Sequence, residues 1–329
     1  MNEEQKYQEA ISNLAILNEE KNKLLSDLEN LKVHFSELEA TNSHLIAATW
    51  RERDLKKKLS DTLDELNKTK DIVENQNKRI TESINYARKI QLAINPTEAD
   101  LTKHFPESFI LYLPKDVISG DFPWLFSIGN YIYVAAVDCT GHGVPGAMMS
   151  MIGNLLLNDI INNGTVVLPS EILVRLHNAV VNTLKQNLPD SNSGDGMDIS
   201  LCRIDRANNE LVYSGAHRPL FFLKNDEIEI LSGDKFPIGG MHYKGMNTFT
   251  DQIVKFDKGN SIYLFTDGFP DQIGGTEKRK LLTKNLKLFI ESQSRKDFNN
   301  LKDELLNFCR SWKGDNKQID DILLIGVKF

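Results

Sequence analysis

The feature that most constrains the fold is a long amino-terminal stretch, residues 1–95, that contains neither glycine nor proline. These two residues interrupt helices, so their absence permits a helix of unusual length. A heptad repeat runs through the stretch. Position a holds Tyr7, Leu14, Lys21, Leu28, Phe35 and Asn42, and position d holds Ala10, Leu17, Leu24, Leu31, Leu38 and Leu45. A sustained apolar seam with charged flanks predicts a coiled coil.

The phase of this repeat is preserved further along the chain. It passes through a polar interval and resumes at Leu59, continuing to Ile84. An unbroken phase predicts one long helix, or two helices in register. Leucine at nearly every early d position favours two parallel strands, so we expect residues 1–79 to form a homodimer. A helix that folds back on its own chain is the alternative.

The end of the helical region has a broader apolar face. Ile90 and Leu92 widen the seam, which indicates a contact beyond the coiled-coil partner. Pro96 cannot continue the helix. We therefore expect residues 80–104 to be a helical connector that carries a signal from an upstream protein to a separate domain, residues 105–329.

Residues 105–329 follow a different pattern. Short runs rich in β-branched and aromatic residues alternate with turn signals such as Gly129–Asn130. The order is strands, two helices, strands, helix and strand. This order predicts an α+β domain, a sandwich of antiparallel sheets with helices outside.

Carboxylates recur where the predicted strands begin or end. Asp138 follows the apolar run 131–137, Asp267 follows the run 261–266, and Asp320 and Asp321 precede the strand at 322–329. In an antiparallel sheet the end of one strand lies beside the start of its neighbour, so these side chains can share one sheet edge. Oxygen ligands beside a glycine-rich turn are typical of a site for a hard cation.

Bulk properties exclude other classes of protein. The formal net charge of −7 argues against a general nucleic-acid binder. The three separated cysteines fit a reducing compartment, and Cys139 is either a nucleophile or a small residue in a tight turn. No signal peptide is expected, and no apolar run approaches the roughly 20 residues of a membrane span. We expect a cytoplasmic protein.

Four motifs in order resemble one family. They are SGD at 119–121, VDCTGHGVPGA at 137–147, FTDG at 265–268 and DD at 320–321. The set is similar to the metal-dependent serine/threonine phosphatases of the PPM, or 2C-like, superfamily, and most similar to its sporulation-protein-E-like bacterial branch. The resemblance implies a β-sandwich of two antiparallel sheets flanked by helices, with two Mn²⁺ or Mg²⁺ ions at one edge.

The same resemblance implies roles for individual residues. Asp138 would bridge the two metals, and the backbone carbonyl of Cys139 would complete the coordination shell of one of them. Asp267 and Asp320 would hold the other metal. Asp121 would orient a metal-bound water. Asp321 is the alternative ligand beside Asp320. His142 is a candidate general acid, with a structural turn histidine as the other interpretation. Asp198 and Asp234 either border the site or are solvated loop acids.

The expected activity is direct hydrolysis of a phosphoserine or phosphothreonine on a protein by metal-activated water. The resemblance points to a phosphoprotein of a partner-switching system, such as an anti-sigma-factor antagonist. Two alternatives stay open. One is a catalytically silent signalling adaptor with a phosphatase fold, and the other is a metal phosphoesterase for a small molecule.

Overall fold

The computed structural model describes residues 2–162, 166–188, 194–240 and 248–329. The chain divides into two compact units, Met1–Arg79 and Ile80–Phe329. The segment expected to act as a connector, residues 80–104, therefore belongs to the same unit as the strands.

The amino-terminal stretch is a single helix, α1, which covers Glu3–Ile94. It ends just before Asn95 and Pro96, as expected for a proline that blocks a further turn. In the first unit the heptad leucines are exposed in the single chain, with Leu24 68% and Leu31 71% accessible. The long helix agrees with the predicted heptads, and its apolar seam is available for a partner.

The second unit contains two antiparallel sheets. Their strands are β1 Ser108–Leu113, β2 Phe122–Ile128, β3 Tyr131–Cys139, β4 Gly196–Asp205, β5 Glu210–Ala216, β6 Leu220–Lys224, β7 Glu227–Leu231, β8 Ile238–Gly239, β9 Gln252–Lys255, β10 Ser261–Phe265 and β13 Ile322–Lys328. The strands β11 Ile273–Gly274 and β12 Arg279–Lys280 form a separate small hairpin.

The first sheet has the order β1-β13-β10-β6-β7, and the second has the order β2-β3-β4-β5-β9 with β8 paired to β4. A two-residue turn at Gly129–Asn130 joins β2 to β3, because Ile128 pairs directly with Tyr131. The predicted α+β class with antiparallel sheets is confirmed.

Helices lie beside and outside the two sheets. They are α2 Glu98–Thr102, α3 Gly143–Ile161, α4 Pro169–Thr183, α5 Gly268–Asp271, α6 Thr283–Gln293 and α7 Leu301–Lys313, with a 3-10 turn at Phe298–Asn300 before α7. One core lies between the second sheet and α3 and α4. A second core lies between the sheets, and a third lies between the first sheet and α6 and α7. The second unit is thus a four-layer sandwich.

Helix α3 is long and apolar enough to cross a membrane by length and composition alone, among the described residues. Half of its residues are buried inside the protein, including Leu157 and Ile161. Core helices of soluble folds pass the same test, and α3 covers one face of the second sheet.

One strand boundary differs from the expected one. Strand β3 does not stop before Asp138 but continues through Cys139, where Asp138 pairs with Asp198 and Cys139 pairs with Met197. Backbone pairing with β4 carries β3 past the apolar run, because a ladder depends on its partner strand rather than on apolar residues.

Candidate functional site

A pocket of about 260 Å³ lies where the two sheets approach each other at one end of the sandwich. Asp138, Asp267 and Asp320 all line it. The prediction that they share the edge of one sheet is wrong. Asp138 belongs to β3 in the second sheet, whereas Asp267 and Asp320 adjoin β10 and β13 in the first sheet. The carboxylates therefore meet across the sandwich.

The alternation of β3 explains the direction of Asp138. Ile132, Val134 and Ala136 lie in the core between the sheets. Side chains of a strand alternate between its two faces, so Asp138 continues this row and faces the first sheet. The carboxylate at the end of this row lines the pocket.

Cys139 takes the opposite face and packs into the core with α3 and α4. Burial raises the pKa of its thiol well above the ordinary value, and the charge of Asp138 adds to the effect. A buried protonated thiol is a poor nucleophile. These contacts argue against a nucleophile, and they make Cys139 a small packed residue, at the end of β3 rather than in a turn, that also lines the pocket.

Asp320 and Asp321 differ in their surroundings. Asp321 is 2% exposed, and its two oxygens accept hydrogen bonds from the backbone N–H groups of Lys115 and Gly120, both at 2.7 Å. It therefore holds the turn that precedes Asp121. Asp320 lines the pocket, and its Oδ1 accepts a hydrogen bond from the Asp321 N–H at 2.9 Å. Burial raises the pKa of Asp320, against the opposing effect of this bond.

Asp121 is not among the residues that line the pocket and is 3% exposed. Its Oδ2 is buried and accepts no hydrogen bond within the described ranges. Burial raises the pKa of Asp121 well above its ordinary value, and the Asp138 charge raises it further. Burial also raises the pKa of Asp138 to about 7, with Arg218 opposing the shift and Asp267 adding to it. Two buried carboxyls side by side favour a bound cation.

The glycines of two motifs bring their backbones into close contact. A Cβ atom on Gly120 would lie 2.5 Å from the carbonyl oxygen of Gly141, and one on Gly146 would lie 2.2 Å from the same oxygen. No side chain fits at either position without moving the backbone. The SGD turn and the glycine-rich turn are thus packed together beside Asp138.

His142 also lines the pocket and stands at the residue before α3. Its side chain is 53% exposed, and its Nδ1 lies 2.8 Å from Oδ2 of Asp116. The imidazole ring makes no capping hydrogen bond to the backbone N–H groups of α3. His142 is therefore an exposed residue of the pocket rim with one nitrogen occupied by Asp116.

The sequence interpretation missed Arg218, which lies between β5 and β6. Its Nη2 is 2.7 Å from Oδ2 of Asp267, 2.8 Å from Oδ2 of Asp198 and 3.1 Å from Oδ2 of Asp138. The contact with Asp138 has ion-pair distance but no hydrogen-bond geometry. Burial lowers the pKa of Arg218, but the charges of Asp138, Asp267 and Asp198 together raise it above the ordinary value.

A signal for Arg218 was present in the sequence. It is a basic residue before a proline, between two short runs rich in β-branched and aromatic residues, 210–215 and 219–224. His217 precedes it, and the His217 Nδ1 lies 2.9 Å from Oδ1 of Asp198. Asp198 thus borders the pocket. Asp234 does not line it, and its Oδ2 accepts a hydrogen bond from the Thr250 N–H at 2.8 Å.

The donor set of the pocket fits a divalent ion. The groups are carboxylate and backbone oxygens, which suit Mg²⁺ and Mn²⁺. The buried Oδ2 of Asp121, which has no hydrogen-bond partner within the described ranges, would also be stabilised by a cation or a water molecule. With the side chains as they stand, no group of three or more His, Cys, Asp or Glu among the described residues surrounds a common metal position. Asp138 and Asp267 converge on the Arg218 nitrogen instead.

Comparison with known proteins identifies the fold. The family model of the stage II sporulation protein E (SpoIIE) matches residues 129–329. No curated protein matches the chain. The solved SiaA-PP2C domain of Pseudomonas aeruginosa is 28% identical with a TM-score of 0.70, over 77% of this chain and 98% of that domain.

Two more distant structures have the same fold. The PP2C phosphatase domain of SpoIIE from Bacillus subtilis, with a fragment of its regulatory domain, is 15% identical with a TM-score of 0.56, over 68% of this chain and 62% of that one. The RsbU and RsbW domains of a Mycobacterium tuberculosis protein are 20% identical with a TM-score of 0.52, over 67% of this chain and 59% of that one. The chain belongs to the SpoIIE family, and its second unit is a PP2C-like phosphatase domain.

Proposed function

We propose that residues 105–329 hydrolyse phosphoserine or phosphothreonine on a protein, with two Mn²⁺ or Mg²⁺ ions as cofactors. The observation that carries the proposal is the convergence of Asp138, Asp267 and Asp320 on one pocket from three separate parts of the chain. Membership in the SpoIIE family supports a phosphatase. The oxygen ligands support a hard divalent ion.

Two divalent ions held by these carboxylates and by the Cys139 carbonyl would supply a nucleophilic water at neutral pH and neutralise the charge of a phosphate. Asp138, which lines the pocket from β3, is the residue that would contact both ions. Asp267 and Asp320 would hold the ion on the side of the first sheet. Asp121 would accept a hydrogen bond from a water through its unpartnered Oδ2.

His142 is the candidate for protonating the leaving oxygen of the serine or threonine. It lies on the exposed rim of the pocket, where a phosphoprotein can approach. Asp116 occupies its Nδ1, so Nε2 is the nitrogen left for a proton transfer. An alternative role is structural, in which the pair with Asp116 only fixes the start of α3.

The proposed substrate is a phosphoprotein of a partner-switching system, such as an anti-sigma-factor antagonist. Support comes from the SpoIIE family match and from the similarity to a fold that carries RsbU and RsbW domains.

We also propose that α1 forms a parallel homodimer and that an upstream protein acts through it on the phosphatase domain. The exposed heptad leucines of the first unit support the dimer. The connector supports the regulation, since Gln91 near the end of α1 is hydrogen-bonded to Ser119 of the SGD motif and to Ser150 of α3. A change in α1 can therefore reach the turn that carries Asp121.

The activity is tested with the full chain and a phosphoserine protein, with Mn²⁺ or with EDTA. Asp138→Asn should lower turnover by more than about 100-fold, because even the hydrogen-bond partners of metal ligands cost roughly 10–100-fold when changed. Asp159→Asn, on the exposed side of α3, is the matched control and should leave turnover unchanged. Equal turnover of Asp138→Asn and the unchanged chain would reject the proposal. Faster hydrolysis of nucleotides than of the phosphoprotein would favour a small-molecule phosphoesterase, and no Mn²⁺-dependent hydrolysis would favour the adaptor.

A further inference from the structure

A single nitrogen atom, Nη2 of Arg218, lies within 3.1 Å of one oxygen from each of three carboxylates. Asp138 comes from β3, Asp198 from β4 and Asp267 from the end of β10, so the contacts join both sheets. The Arg218 side chain is 17% exposed. A position near three carboxylate oxygens is a natural position for a cation, and here an arginine nitrogen takes it.

The backbone around Arg218 is fixed. The Arg218 N–H donates to the Ala216 carbonyl at 2.7 Å, and the Tyr213 hydroxyl donates to the Arg218 carbonyl. The His217 N–H donates to the Asp234 carbonyl at 2.8 Å. A Cβ on Gly215 would lie 2.4 Å from the Arg218 carbonyl oxygen, so the turn closes tightly. Any movement of the guanidinium must therefore come from side-chain torsions.

The guanidinium and a divalent ion compete for the same oxygens. Mg²⁺ needs oxygen ligands at about 2.0–2.1 Å, well inside the 2.7 Å between Nη2 and the Asp267 oxygen. An ion bound by the Oδ2 atoms of Asp138 and Asp267 would stand almost in contact with the arginine nitrogen, and the two positive charges would repel each other. The present arrangement and a metal-bound arrangement thus exclude one another.

We propose that Arg218 is an exchangeable counter-ion of the metal site: it neutralises and holds the three carboxylates in the metal-free protein, and it releases Asp138 and Asp267 when a divalent ion binds. This rests on the proposed metal-dependent function. Asp198, which is not among the expected metal ligands, is the partner that can keep the released guanidinium. Arg218 is a positioning residue in this account, because it acts through the carboxylates.

Arg218→Gln should strengthen the binding of a divalent ion for two reasons. It removes a competing cation and leaves three carboxylates to repel each other until a metal binds. Both effects strengthen the binding of the ion, whereas the metal-free protein becomes less stable.

The test uses the full chain after removal of metals with EDTA. Mn²⁺ binding is measured by calorimetry and the melting temperature is measured with and without Mn²⁺. Arg218→Gln should bind Mn²⁺ about tenfold more tightly than the unchanged chain, which corresponds to about 1.4 kcal/mol. It should also melt at a lower temperature in EDTA and regain that loss in Mn²⁺. Arg206→Gln, at an exposed position after β4, is the control and should match the unchanged chain.

The measurements test the counter-ion role of Arg218 separately from the metal-dependent phosphatase activity. If the unchanged chain binds Mn²⁺ and hydrolyses phosphoprotein while Arg218→Gln binds Mn²⁺ no more tightly, the counter-ion role is overturned and the function stands. If neither chain binds Mn²⁺, both are overturned. An Arg218→Gln chain that folds only with Mn²⁺ supports the proposal. If it folds under neither condition, Arg218→Met, which also removes the charge, replaces it, and binding no tighter than that of the unchanged chain overturns the role.

Discussion

Gln91 and Ser119 are joined by two hydrogen bonds between the end of α1 and the SGD motif. The Gln91 Nε2 donates to the Ser119 carbonyl at 2.6 Å, and the Ser119 N–H donates to the Gln91 Oε1 at 3.2 Å. Gln91 is 3% exposed and Ser119 is fully buried. The Gln91 side-chain amide thus hydrogen-bonds both the backbone N–H and the backbone carbonyl of buried Ser119, two positions before Asp121.

Gln91→Leu leaves the Ser119 N–H without its hydrogen bond and leaves the Ser119 carbonyl only the longer bond from the Ser150 hydroxyl, at 3.4 Å. Each buried polar group without a partner costs about 1–3 kcal/mol, so the free energy of unfolding should fall by at least that amount. Phosphatase activity should change as well, because the SGD turn loses its support. Both are measured on the full chain, by urea unfolding and by phosphoprotein hydrolysis.

Gln76→Leu is the matched control for this change. Gln76 lies on the same helix, is exposed and stands outside the a and d positions. It should alter neither the unfolding free energy nor the activity. Equal effects of the two substitutions would contradict a specific link between Gln91 and the SGD turn.

The adjacent residues Asp320 and Asp321 should respond differently to the same substitution. Asp321→Asn places an amide NH₂ against one of the two backbone N–H groups that now donate to Asp321. The free energy of unfolding should fall by about 1–3 kcal/mol. A loss of 1 kcal/mol lowers the melting temperature of a domain of this size by roughly 2–4 °C. Thermal melting in EDTA measures this effect without any metal.

Asp320→Asn should leave melting in EDTA nearly unchanged, since its Oδ1 can still accept from the Asp321 N–H. It should weaken Mn²⁺ binding, because it removes a negative charge from the pocket. The reverse result, with Asp321→Asn stable and poor in Mn²⁺ binding, would exchange the roles of the two residues.

His177 on α4 gives the protein a dependence of stability on pH. Its Nδ1 accepts a hydrogen bond from the Gly239 N–H at 3.1 Å, and burial lowers its pKa against the opposing effect of a backbone hydrogen bond with Pro237. The unfolded state, with a histidine pKa near 6.5, takes up the proton more readily than the folded state. The stabilisation of the folded state by neutral His177 is therefore fully present above about pH 6.5, and it is lost as the pH falls below that value.

His177→Asn keeps an acceptor for the Gly239 N–H but does not titrate. The free energy of unfolding of this variant should decrease less between pH 7 and pH 5 than that of the unchanged chain, as measured by urea unfolding with tryptophan fluorescence. His104→Asn, at a partly exposed position, should keep the slope of the unchanged chain. A slope that His177→Asn leaves unaltered would assign the pH dependence to other groups.

The heptad seam of α1 predicts the oligomeric state. The unchanged chain should be a dimer by light scattering, and Leu24→Lys with Leu31→Lys should convert it to a monomer, because both charges fall on d positions. Ser26→Lys with Val33→Lys adds the same charges at f positions and should remain dimeric. A monomeric unchanged chain would contradict the coiled-coil dimer.

Much of the fold follows from local patterns. The absence of glycine and proline before Pro96 predicts α1, and the Gly129–Asn130 signal predicts the hairpin between β2 and β3. Asp138, Asp267 and Asp320 are found as acidic residues beside apolar runs, and all three line the pocket. Such features depend on a few neighbouring residues, so the sequence contains them.

The remainder depends on pairing across the sandwich. Asp138 lies within β3 because β4 extends the ladder past the apolar run, which the run itself does not indicate. Arg218 meets its three carboxylates only because the turn between β5 and β6 crosses from one sheet to the other. No local pattern specifies which acidic residues stand opposite that turn.

Since Asp138 and Asp267 project from opposite layers, the interior side chains between those layers act as spacers of the pocket. Ala136 on β3 and Leu264 on β10 are both buried in that interior. A bulkier residue at either position should push the layers apart and lengthen the distance between the two carboxylates. Under the proposed function, the preference for a larger or smaller ion can thus depend on apolar residues that never touch it.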